Sequence, residues 1–404
     1  MFPGKLAGAA LAAILLVVPL SAQQLLAGAA KVDITPDKPV ALAGYSEAQN
    51  RISEGVHDRL YARAVAFRSG SKRLVLVSCD LSGFQTVPVS IYRNVLFERF
   101  HLQPDELFLC GTHTHSAPML ILNRTWPHPD NFDYTESLKA KLVQAVDRAL
   151  NSVAPARIAA GSGESPIAVN RRLRIGSEIT IGRNPDGPVD REVQVLKIVR
   201  PNGAPIAAIF DYACHARSLR AANRLLSGDI FGLAEQYVEK ELGANAVTPA
   251  FAGASGDIDP WYVLPGFQEE TARMADQLGA EVLRVYRAAT PIAATAIRTR
   301  TEILKLPGKT PPDRPLEMTV AAIGDVAFLA LDCEALVEIG KAIKAASPFR
   351  HTFVVTNCNG GSGYLPPAHL YPEGGYEVDL SGFAPEAAGM VVENALKMLR
   401  AVAQ

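Results

Sequence analysis

The stretch Glu106–Ser116 reads ELFLCGTHTHS: an apolar run that stops at Gly111 and delivers two histidines. A short continuous apolar run closed by a turn signal marks a strand buried on both faces. Five further runs share that character: Leu74–Cys79 (LVLVSC), Gln194–Val199, Ile206–Asp211 (IAAIFD), Asp325–Leu331 and Thr352–Asn357 (TFVVTN). Helical spacings stand between them. Leu138, Leu142, Val146 and Ala149 follow a capping candidate, Thr135; Leu233, Tyr237 and Leu242 mark a second helix. Met274, Leu278, Val282 and Val285 mark a third, Leu336, Ile339 and Ile343 a fourth, and a last one runs from about Pro385 to Val402. This alternation predicts an α/β fold with a mostly parallel or mixed central sheet flanked by helices. Gly182–Pro188 and Leu306–Pro315 read as surface excursions, and residues 23–404 read as one domain.

The chain has 404 residues, 48% hydrophobic and 20% charged, with a net charge of −1. That balance supports a substantial core and gives no electrostatic basis for nucleic acid or an anionic membrane as main partner. Met1–Ala22 is different: Lys5, then Leu6–Leu20 without an acidic residue, then Ser21 and Ala22. It reads as a secretory signal peptide, which predicts a secreted or periplasmic protein starting near Gln23. The rival, an uncleaved anchor, needs a longer run. No later stretch approaches eighteen uncharged apolar residues, so no stable transmembrane span is expected after cleavage.

Each apolar strand exits into chemistry. Leu74–Cys79 runs into Asp80, and Glu106–Cys110 into His113 and His115. Ile206–Cys214 runs into His215, Asp325–Cys333 into Glu334, and Thr352–Cys358 into a Gly-rich loop ending at Tyr364. Ligands of open α/β sheets gather beyond the carboxyl ends of strands, so a metal cleft is expected there. His113 and His115 lie two apart, and in an extended segment both face one side. Imidazoles with a carboxylate suit zinc. The rival reading is a histidine pair with hydrogen-bond partners only.

Five cysteines sit at the same exits, and an odd count leaves at least one unpaired within the chain. Cys214 and Cys333 immediately precede proposed ligands, so along a strand they face the other way and read as small buried residues. A disulfide between neighbouring strand ends stays open. The loop Phe251–Pro260 (FAGASGDIDP) carries Asp257 and Asp259, which read either as reactive acids or as caps of their own turn.

Taken in order, Gly55–Arg63 (GVHDRLYAR), Gly111–Pro118 (GTHTHSAP), Asn170-Arg171, Val189–Glu192 (VDRE), the His215 segment, Gly256–Pro260 (GDIDP) and the Tyr364 segment form a set. From about Ala30 to Val391 the chain resembles the catalytic region of the neutral/alkaline, non-lysosomal ceramidases. The resemblance implies a zinc-dependent amidohydrolase of the kind that splits ceramide into sphingosine and a fatty acid. It implies His113 and His215 as histidine ligands, Glu334 and Tyr364 as carboxylate and phenol ligands, and His115 near the zinc-bound water. Two departures accompany it. The family's proposed serine nucleophile is replaced by Asp259, and the sequence ends directly after its last helix, where family members usually carry a β-sandwich.

The expected protein is therefore a secreted zinc amidohydrolase acting on a small-molecule or lipid N-acyl substrate through metal-activated water. His115 or Asp259 takes the proton, and Tyr364 ligates zinc or steadies the oxyanion. Asp80 and Asp190 are candidates to orient the imidazoles. Arg171 either contacts substrate or pairs with a carboxylate. The rivals are a metal-dependent carbohydrate deacetylase, esterase or lyase on the same cleft, and a non-catalytic secreted zinc protein.

Overall fold

Five of the six apolar runs fall on strands with a parallel partner, and Gln194–Val199 lies antiparallel between its two neighbours. The computed structural model describes residues 24–46, 51–85, 87–243, 245–262, 268–293 and 296–404; the leader reading of Met1–Ala22 lies outside them. Lys72–Cys79 pairs in parallel with Leu107–Gly111, Pro205–Tyr212 with Ala250–Ala252, and Val326–Leu331 with His351–Val355. Each pair forms one end of its own sheet, and the rest of that sheet is antiparallel. The mixed sheet flanked by helices is thus present three times, with five, five and four strands.

The inner faces of the three sheets share one core. Val65, Phe67 and Phe108 come from the first sheet, Leu196 and Ile209 from the second, and Phe328 and Phe353 from the third. The Phe328 ring lies 4.7 Å from Phe353 and 6.5 Å from Phe108, centroid to centroid. Helices cover the outer faces: Ser90–Phe100 and Pro129–Asn151 on the first sheet, Asp229–Leu242 and Gln268–Ala288 on the second, Val337–Ala346 and Ala387–Ala403 on the third. Strands enclosed this way bury both sets of side chains, which is why their sequences run apolar without alternation.

Thr135 is not the cap of its helix. Pro129–Asn151 starts six residues earlier, where the His128 side chain accepts from the Asp130 N–H and Pro129 occupies the first turn. Thr135 is interior and donates back to the Asn131 carbonyl at 2.8 Å.

Cys110 and Cys358 form a disulfide that ties the end of a first-sheet strand to the loop beyond the third sheet. Cys79, Cys214 and Cys333 are buried and free. Two minor sheets complete the site's frame. Glu334–Ala335 runs parallel to Tyr364–Leu365, and Ile258–Pro260, Ala168–Ile175 and Glu178–Asn184 form a three-stranded sheet. No helix among the described residues is long and apolar enough to cross a membrane.

Candidate metal and catalytic site

The histidine pair does not sit on an extended strand. His113 has φ +65°, a left-handed backbone that non-glycine residues rarely adopt. Two anchors hold it there. Its N–H donates to the Leu81 carbonyl, and beyond it Thr114 bridges to Ala216 of the second sheet's exit, with His115 N–H on the Ala216 carbonyl at 3.0 Å. This corrects the expectation that strand alternation aligns the rings: a kink does so, leaving them 5.1 Å apart.

His113 Nδ1 lies 2.7 Å from the Ser82 carbonyl and His215 Nδ1 2.7 Å from that of Ser255. A carbonyl only accepts, so both Nδ1 atoms carry the proton and both Nε2 atoms present a lone pair. Backbone oxygens therefore orient the imidazoles. Asp80 and Asp190 do not: Asp80 binds Arg63 and the Tyr61 N–H, and Asp190 pairs with Lys344.

Donor atoms of His113, His115 and His215 lie within 4.8 Å of one another. Glu334 Oε2 stands 3.3 Å from His113 Nε2 and 3.6 Å from His215 Nε2, buried and without a hydrogen bond. Tetrahedral ligands at about 2.0–2.1 Å from a zinc ion are separated by about 3.3 Å, so two imidazoles and a carboxylate at these spacings fit such an ion. Burial pushes the Glu334 carboxyl up, and His113 with His215 beside it more than offsets this, so it is held well below the ordinary range.

Burial is also the main cause that lowers His215 to about 4, from an ordinary value of 6.5, with Arg171 adding to it. An NMR titration of the metal-free protein is expected to show the His215 ring neutral down to about pH 4; a midpoint near 6.5 would contradict a desolvated ring. His115 is likewise held neutral, far below its usual value, by burial and by His113 and His215. Both of its ring nitrogens are buried without a partner.

Arg171 and Asp259 lie behind this cluster. Arg171 donates to Glu377 at 2.8 Å, to His215 Nε2 and the Tyr364 hydroxyl at 3.2 Å each, and to Asp259 at 3.5 Å. A cation arriving at His215 takes over a lone pair that Arg171 contacts, while Glu377 and Asp259 offset the arginine's charge. Asp259 is gripped by both Arg217 nitrogens, which outweigh burial and lower its carboxyl to about 2. Asp257 works at a distance: it accepts from the Val337 N–H, capping Val337–Ala346, and from Asn170. Tyr364 is register partner to Glu334. A cavity of about 310 Å³ opens onto His113, His115, Glu334 and Tyr364, with Tyr45 and Tyr376 also in its wall.

Three imidazoles and a glutamate thus gather at the ends of parallel strands. The N-terminal model of neutral/alkaline non-lysosomal ceramidase matches residues 25–271, more than half of the chain. The chain belongs to the neutral/alkaline non-lysosomal ceramidase family. Neutral ceramidase A of Dictyostelium discoideum is 31% identical over 264 residues, 60% of this chain and 36% of that protein. Neutral ceramidase of Pseudomonas aeruginosa is 30% identical over 250 residues, 58% and 36%. The matches span about a third of the length of these ceramidases. The crystal structure of neutral ceramidase from Pseudomonas aeruginosa superposes with a TM-score of 0.79 at 20% identity, covering 94% of this chain and 74% of that one. That likeness establishes the ceramidase fold. Glu334 and Tyr364 lie beyond the segment matched by the family model.

Several residues of the site escaped the sequence reading. Arg217 follows His215 by two, and that spacing was a usable signal. Glu377, in a short helix 206 residues from Arg171, gave none. Gly44 packs against His115: it has φ +92°, and a Cβ there would fall 2.3 Å from the His115 Cγ. Gly44→Ala is expected to displace the His115 ring and lower turnover about a hundredfold, with metal content retained. Unchanged turnover would show that the ring's placement does not matter.

Proposed function

We propose that this protein is an exported, zinc-dependent hydrolase of a linear N-acyl amide, with a ceramide-like lipid as substrate. The observation that carries this reading is the convergence of His113 Nε2, His215 Nε2 and Glu334 Oε2 without hydrogen bonds that would satisfy the carboxylate oxygen. These three atoms would hold the ion, with Tyr364 as the further ligand candidate. Zinc bound there supplies Lewis acidity toward an amide carbonyl and toward water.

The chain's own groups divide the remaining work. His115 faces the cavity with both ring nitrogens unpartnered and is placed to accept the proton released as water attacks. Arg171 donates to the Tyr364 oxygen, which leaves the phenol proton free to meet a developing oxyanion. Asp259, held by Arg217, is a poor proton acceptor and acts as fixed negative charge behind His215 and Arg171. Asp259→Asn is expected to keep the metal and lower turnover about a hundredfold, without a burst of product before steady state. A fully active variant, or a trapped acyl-enzyme, contradicts this role. The apolar leader and the Cys110–Cys358 disulfide support an oxidising, exported location.

The test is a substrate panel with zinc present: a short-chain N-acylsphingosine, an N-acyl amino acid, an N-acetyl amino sugar and an acyl ester. Release of fatty acid from the N-acylsphingosine, lost with a chelator and restored by zinc, is the expected result. Turnover confined to the sugar or the ester would overturn the substrate class, and none at all the enzyme.

A further inference from the structure

We infer that a second pocket, on the far side of the Asp259–Arg217 pair from the histidine cluster, binds a small organic oxyanion. This cavity of about 190 Å³ is lined by Arg183, Arg217 and Arg220, by Asp259, and by an apolar wall that includes Ile181 and Trp261. Three guanidiniums against one carboxylate leave an excess of two positive charges. Asp259 is already held by Arg217 through both oxygens. Arg183 and Arg220 have no carboxylate partner among the described residues. Arg183 instead lies over the Trp261 ring, 5.2 Å from its centroid, and over Tyr262 at 5.8 Å.

The frame is rigid. Arg183 stands on the Glu178–Asn184 strand and Asp259 on Ile258–Pro260, both paired to Ala168–Ile175. Trp261 N–H donates to the Ile167 carbonyl. Arg220 has a left-handed backbone, φ +60°, in a turn where its N–H reaches the Arg217 carbonyl. Arg183 over the indole and Arg220 in the same wall suit a charged end with two or more oxygens, attached to an apolar or aromatic body that packs beside the ring. A second hollow shares Trp261 as a wall and is bordered by Ile167, Tyr262 and Met274, with Arg191 and Gln277 at its polar side. The charged end is a carboxylate or a phosphate. The pocket shares no lining residue with the cavity at the histidines, so binding is read without turnover.

Trp126 and Trp261 are the two tryptophans of the chain, so in a Trp126→Phe background the emission reports on the pocket. Hexanoate, phenyl phosphate and the neutral analogues hexanol and phenol are titrated into this metal-free protein at fixed ionic strength. The expected result is a saturable change with at least one anion at a dissociation constant below about 5 mM. Arg183→Gln and Arg220→Gln, both at exposed positions, should each weaken it at least about tenfold. Saturation by hexanoate alone assigns a carboxylate ligand, and by phenyl phosphate alone a phosphate. No saturable response to either anion, an equal response to the neutral analogues, or an unchanged titration in the double variant would overturn the site.

Discussion

His113→Ala and His215→Ala are each expected to purify with less than about a tenth of the parent's zinc and with no amide hydrolysis above background. Each deletion removes one of two imidazole lone pairs that the Ser82 and Ser255 carbonyls aim at Glu334. The remaining imidazole and carboxylate make an incomplete set, and ligand loss lowers affinity by orders of magnitude. Both rings are buried at the ends of strands rather than within the shared core, so the fold should survive. Circular dichroism and metal analysis on the same sample separate the outcomes. A folded variant with full metal content would remove that histidine from the ligand set.

Arg63→Met is expected to lower stability by about 3–5 kcal/mol. Arg63 is fully buried and meets Asp80 and Glu239 at 2.9 Å each, with Glu235 also on its Nη1. Lys31 adds a second cation at Glu239. Without the guanidinium, three carboxylates in low dielectric keep a single neighbouring cation. Asp80 and Glu235 already bind protons more readily than usual because of burial. The variant raises them further, so its folded state binds more protons than its unfolded state. Its stability therefore falls as pH rises, and the deficit against the parent shrinks toward pH 4. Urea melts at pH 8 and pH 5 check both magnitude and sign. A loss below 1 kcal/mol at pH 8 would show the network to be dispensable.

The parallel strands were legible because burial on both faces leaves an unbroken apolar run, as in Leu74–Cys79 and Asp325–Leu331. Gln194–Val199 apart, the antiparallel strands carry charge or small residues and were missed. Ile297–Leu306 (IRTRTEILKL) places residues of one face toward solvent, and Ala168–Ile175 (AVNRRLRI) buries arginines that look exposed in sequence. Ser90–Phe100 buries Arg93 on its inner face, where it pairs with Glu317, so no clean apolar stripe marks it. At the site, His113, His115, His215 and Glu334 could be read because each directly follows an apolar strand. Their partners could not. Arg171 meets Glu377 across 206 residues and Arg217 meets Asp259 across 42. Such pairings depend on how the sheets dock, which local pattern does not encode.

We propose that one metal ion, held by His113, His215 and Glu334, makes this protein an amide hydrolase. The most direct test is a zinc titration of the metal-free protein while fatty acid release from a short-chain N-acylsphingosine is followed. Activity should rise linearly from zero and break at one equivalent of zinc per chain. Hydrolysis that is present without metal and indifferent to added zinc would contradict it.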